Sequence, residues 1–250
     1  KCGDLKCRSN AVLALGNFCS TTDHKSEGDT GNTSRLATIA STEGIKSLIS
    51  FAFSANDLES TSNAQFQAIA GLRGLGTNDA SRKEIVRQGG LEPLILAATA
   101  TAAGDGDGDN KECIADVEVQ REAAAAMRNL ALSSDAKLMM CQRGLISVLS
   151  SLVRCGDPFS QVHAIAALGN LADTGGAVLK HLLDEDCVSA LLDLATKVQE
   201  RLLVVEGRGA VAPGVEVDEE VNTQIARCLS IFACHVQSHQ ALVSGDCLCL

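Results

Sequence analysis

"QREAAAAMRNLALSSDAKLMMCQRGLISVLSSL", residues 120–152, and "QVHAIAALGNLAD", residues 161–173, say most about how this chain folds. Each holds a run of small residues, then an aliphatic residue or Met, then Leu three places later. The same string can be found five times: "NAVLALGNFCS", "QAIAGLRGLGT", "EAAAAMRNLAL", "HAIAALGNLAD" and "QIARCLSIFAC", starting at residues 10, 67, 122, 163 and 224. The pairs Leu15/Phe18, Leu72/Leu75, Met127/Leu130, Leu168/Leu171 and Leu229/Phe232 fall at i, i+3, which makes one stripe along a helix. These residues are the expected core.

The stretch after each string recurs as well. A helix-length segment is broken at Gly or an acidic residue, and a second apolar segment comes after it, so one unit is three helices. The third and fourth strings start 41 residues apart, while the other spacings are 57, 55 and 61. A unit of about 41 residues with three insertions accounts for all four spacings. The insertions, near residues 20–34, 100–115 and 199–217, are rich in Gly, acidic and hydroxyl residues and are expected to be long surface coil.

Composition agrees with packed helices. Hydrophobic residues make up 46% of 250, but only six residues are aromatic, all Phe, and only three are Pro. That favours Ala- and Leu-rich helices over β-sandwiches. A net charge of −10 argues against nucleic acid as a partner. No run nears 18 apolar residues, so no membrane span is expected. The eleven cysteines are odd in number, lack any CxxC pair and lie in apolar stretches, which suggests reduced thiols in the cytoplasm or nucleus. The chain begins at Lys1 and ends on the apolar "GDCLCL", so it is expected to be cut at both ends and prone to associate there.

A three-helix unit of about 41 residues ending in "ALGNLAD" or "MRNLALS" resembles an armadillo repeat. The resemblance covers nearly the whole chain and is most specific at 120–152 and 161–173. It implies an all-α, right-handed armadillo-type solenoid: one array over residues 1–250, of four to five repeats. HEAT repeats, with two helices per unit, are the alternative; the Gly breaks before residues 45, 91 and 145 favour three helices. The implied function is an intracellular protein–protein interaction scaffold. Its third helices would line a concave groove that holds extended or helical segments of other proteins. The alternative is the targeting arm of a larger enzyme such as a ubiquitin ligase. No catalytic activity and no cofactor are expected of the chain itself.

The groove stripe runs beside the core stripe and gives Asn17, Gln67, Glu122, Asn129, His163, Asn170, Gln224 and Arg227 as candidate partner-binding residues, with Arg73 and Arg128 next to it. In peptide-binding armadillo proteins such as importin-α a groove Asn bonds the peptide backbone, and Asn17, Asn129 and Asn170 hold that place. The alternative is that these Asn tie one third helix to the next. The Trp that importin-α sets four residues earlier is absent; Leu13, Ala70, Ala125, Ala166 and Arg227 stand there, which argues against import-signal recognition. Arg73, Arg128 and Arg227 could form a basic strip for acidic peptides, as resemblance to β-catenin implies, or pair with acidic neighbours on the next repeat.

Two stretches suggest metals. Asp105, Asp107, Asp109 and Asp116 in "GDGDGDNKECIAD" approach EF-hand spacing, but Asn110 stands where the loop wants Gly and Asp116 where it wants Glu. His235, His239, Cys247 and Cys249 invite a zinc reading, but CxC is not the usual knuckle. No metal site is expected, and no phosphate loop or nucleophile motif occurs.

Overall fold

The computed structural model describes residues 10, 11, 13–16, 19, 43–53, 60–99, 110–206 and 214–244. Among them every regular element is a helix and none is a strand. The chain divides into two compact units, Lys1–Ala136 and Lys137–Leu250.

In the first unit, residues 13–16 are helical, followed by α1 (Gly44–Ala52), α2 (Ser60–Leu75), α3 (Asp79–Arg87), α4 (Leu91–Thr99) and α5 (Asn110–Leu130). In repeat terms α1 and α4 are second helices, α3 is a first helix, and α2 and α5 are third helices. Each third helix packs on its own second helix, and the two third helices pack side by side. Leu48, Leu72, Leu75, Leu94, Met127 and Leu130 meet in the core.

The second unit repeats the plan. First helices α6 (Lys137–Gln142) and α9 (Gly176–Asp184) pack together, as do second helices α7 (Leu145–Cys155) and α10 (Cys187–Glu206) and third helices α8 (Pro158–Ala172) and α11 (Val215–Ala233). A 3₁₀ turn (Val236–Ser238) and α12 (His239–Ser244) come last. Leu149, Leu168, Leu171, Leu191, Val221 and Phe232 are buried here.

Local chemistry sets the helix ends. Asn78 caps α3 by accepting from the Ala80 and Ser81 amides at 3.0 and 3.2 Å. Asp157 caps α8 through the Phe159 amide at 3.1 Å, with Pro158 at the first helical position, where no amide hydrogen is needed. The break between first and second helices is a left-handed residue: Gly89 (φ 84°), Gly144 (φ 79°) and Asp186 (φ 50°). Gly suits that conformation, and Asp tolerates it better than most side chains do.

Three expectations change. Leu15 and Leu229 are only half-buried, whereas Leu72, Met127 and Leu168 are core. On α11 the buried stripe runs Val221, Ile225, Cys228, Phe232, so Cys228 takes the place expected of Leu229. Residues 110–115, expected as coil, are the start of α5, and residues 100–109 lie outside the described residues. Residues 199–206 and 215–217, expected as coil, are helix, because Leu202 continues the apolar side of α10 one turn beyond buried Val198 and α11 begins at Val215; residues 207–213 lie outside the described residues. The insertion near 20–34 lies outside the described residues.

Candidate partner-binding site

The third helices carry the candidate residues, and each pair of adjacent third helices is a site in its own right. In the first unit the pair is α2 and α5. Arg73, in the last turn of α2, sets its Nε 2.8 Å from Glu122 Oε2 on α5, an ion pair with side-chain exposures of 32% and 20%. Asn129 Nδ2 donates to the Arg73 carbonyl at 3.0 Å. That carbonyl is one of those a helix end leaves without an intrahelical donor. Its neighbours are met similarly: Thr77 Oγ1 donates to the Gly74 carbonyl at 2.8 Å, and Arg82 Nη1 to the Gly76 and Thr77 carbonyls at 3.1 and 3.2 Å. Of the two roles open to Asn129, tying third helices together is the one the geometry displays, and Arg73 pairs with an acidic neighbour. Gln67 and Arg128 are half-buried on α2 and α5. The Gln67 carbonyl lies against Gly16, where a Cβ would strike it. Asn17 lies outside the described residues.

In the second unit the pair is α8 and α11. Here Asn170, Gln224 and Arg227 come together around a shallow, solvent-open depression, with Ile165, Ala166, Gly169, Cys228 and Ile231 as its remaining lining. Gln224 Nε2 donates to Glu220 Oε1 at 2.8 Å, one turn back on the same helix. Gln224 Oε1 is buried and has no hydrogen-bond donor. Arg227 is exposed, and no ion pair reaches it among the described residues. His163 is half-buried on α8, one turn from Ala166. The strip of Arg73, Arg128 and Arg227 therefore resolves into different situations: Arg73 is neutralised locally, while Arg227 stands open. Sequence reasoning passed over Gly169. The signal was the change from "GLRGL" at 71–75 to "ALGNL" at 167–171, which removes an Arg side chain at one register position.

The metal candidates gain nothing. Asp116 falls inside α5, so residues 110–116 are helix rather than ligand loop; Asp105, Asp107 and Asp109 lie outside the described residues, as do Cys247 and Cys249. His239 Nε2 is 3.0 Å from the Ala233 carbonyl, and the His235 ring packs against Gly175. Among the described residues no three His, Cys, Asp or Glu side chains cluster as a metal site would require. No helix among them is long and apolar enough to cross a membrane.

Burial disfavours the thiolate form of the buried cysteines. Burial pushes Cys187 up to about 12 and Cys141 to about 11, and it raises Cys228 strongly as well.

Neither a protein-family model nor a curated protein matches this chain. Solved structures do. An engineered protein from a structural genomics consortium is 22% identical over 97% of this chain and 82% of its own, with a TM-score of 0.71. A designed armadillo repeat protein in complex with the peptide (KR)4 is 16% identical over 93% of this chain and 95% of its own, with a TM-score of 0.62. An armadillo-repeats-only protein from Plasmodium falciparum is 16% identical over 88% and 79%, with a TM-score of 0.56. The fold is thus all-α and of the armadillo repeat type.

Proposed function

We propose that the chain is a protein-binding scaffold that uses the faces of its third helices to hold segments of other proteins. The observation that carries this reading is the depression between α8 and α11. Three of the residues expected at a groove converge there, and one of them, Arg227, is an exposed cation that no ion pair reaches among the described residues. A stacked helix pair kept only for stability would close such a place, as α2 and α5 do with Arg73, Glu122 and Asn129. Repeat stacks present extended surfaces well suited to peptide segments. A designed protein of the same fold was solved with a basic peptide; the lining here carries an Arg and no carboxylate, so its charge preference is expected to differ.

The test is selection of random linear peptides displayed on phage against the whole chain. The reading expects enriched sequences whose binding falls when Asn170 and Arg227 are both changed to Ala. No enrichment, or enriched peptides indifferent to that change, would contradict it.

A further inference from the structure

The first helices can be compared position by position, because their buried residues fall in one register: Ile85 on α3, Met140 on α6 and Leu182 on α9. At α3 the Asn78 side chain accepts from the Ala80 and Ser81 amides. The matching residue at α9 is Gly175, which has no side chain to accept from the Ala177 and Val178 amides. Its φ of 67° and ψ of −156° suit Gly alone, so the backbone excludes an Asn there. The first turn of α9 also lacks an acidic residue, the usual complement to the positive end of a helix. Gly176 follows at φ 55°, and a Cβ on it would meet nothing within 4 Å, so this helix end is open to approach.

A cation stands beside it. Lys137 on α6 is 7% exposed, and no hydrogen bond or ion pair reaches its amine among the described residues. A lysine buried that deeply is ordinarily paired. α6 packs on α9, and the shared register sets Lys137 level with Leu179, in the first turn of α9. Burial lowers the Lys137 pKa, and the Asp173 carboxylate, two residues before Gly175, is near enough to oppose that shift. Packing asks only for an aliphatic stem at this position, as Leu179 shows on α9. The His235 ring also borders Gly175, with Cε1 3.1 Å and Nδ1 3.4 Å from the place of a Cβ.

The geometry points to a phosphate-binding site at the N-terminus of α9, completed by Lys137, for a phosphate group that is free or carried as a phosphomonoester. The Ala177 and Val178 amides donate to its oxygens in place of a capping side chain, and the Lys137 ammonium donates to another. Three oxygens pointing apart suit donors that come from separate helices. The exposed Asp173 carboxylate works against the anion and keeps the affinity moderate. The site belongs to the first helices and does not depend on the third-helix surface.

The experiment titrates sodium phosphate into the isotopically labelled whole chain, with sodium chloride at equal ionic strength as the reference. Saturable amide shifts at Gly176, Ala177 and Val178 are expected with phosphate and not with chloride. Lys137→Met keeps the stem and removes the charge, so it should weaken phosphate about tenfold or more while the melting temperature holds or rises. Gly176→Asp sets a carboxylate in open space at a backbone angle that Asp tolerates, and should abolish binding with helical circular dichroism retained. An Ala-rich peptide with one phosphoserine separates the sources. If it shifts the same amides and its unphosphorylated form does not, the site takes phosphorylated protein segments; if phosphate alone shifts them, it takes the free ion. Shifts that do not saturate, shifts that chloride reproduces, or full affinity in Lys137→Met would overturn the site.

Discussion

Asn129→Ala isolates the contact that closes the first pair of third helices. The Asn129 amide reaches the Arg73 carbonyl at 3.0 Å, 56 residues away in sequence, so the bond is purely tertiary. Removing it has two costs. The net value of the hydrogen bond is about 1 kcal/mol, and a carbonyl left dry adds more. Asn129 is half-buried, so water can reach part of that site, and the total should be about 1–2 kcal/mol. Arg73→Ala is the internal control, because it removes the ion pair but keeps the carbonyl. With Arg73 32% exposed, that pair should contribute only ~0.2–1 kcal/mol. Urea unfolding followed by circular dichroism reads both, with the shift taken from the midpoint at unchanged slope. If Asn129→Ala proves no more costly than Arg73→Ala, the amide does not hold the helices together. Asn129 would then be a groove residue, as the resemblance first implied.

Other substitutions probe the repeat frame. Leu168→Ala removes a fully buried side chain from α8 and should cost ~2–5 kcal/mol in the same urea assay; an unchanged midpoint would show that the stripe assigned to α8 is wrong. Gly144→Ala should cost about 1 kcal/mol through its backbone alone, since φ is 79° and a Cβ there would meet nothing within 4 Å. Among the described cysteines, Cys155 and Cys234 are exposed and should take up a maleimide label in the native state. Cys141, Cys187 and Cys228 are buried with raised thiol pKa values and should label only on unfolding, which site-resolved mass spectrometry would show.

The third-helix strings were legible because their small residues and paired large ones fall at helical spacing, and Leu72, Met127 and Leu168 are core as that spacing requires. The register slipped at α11 because Cys228 and Leu229 are adjacent and hydropathy favours Leu. Packing favours the residue four before Phe232, and a thiol is small enough to be buried completely there. The insertion limits were misjudged because Gly and acidic content marks a loop but not its last residue. Lys, Glu, Gln and Leu at the edges extend α5 and α10 into stretches that looked like coil. The candidate site was legible as a set of positions but not as a set of roles. Asn129 bonds the Arg73 carbonyl on another helix, and Asn170 lines the depression between α8 and α11. Such neighbours lie far away in sequence, and a reading along one string does not contain them.

The most direct measurement is an amide chemical-shift map of the isotopically labelled chain titrated with a phage-selected peptide. The account predicts saturable shifts concentrated on the facing parts of α8 and α11, around Gly169, Asn170, Gln224 and Arg227, with Cys155 at the end of α7 and Val236 in the 3₁₀ turn unmoved. Shifts centred on first or second helices, leaving Asn170 and Arg227 in place, would contradict the claim that this protein binds its partners on its third helices.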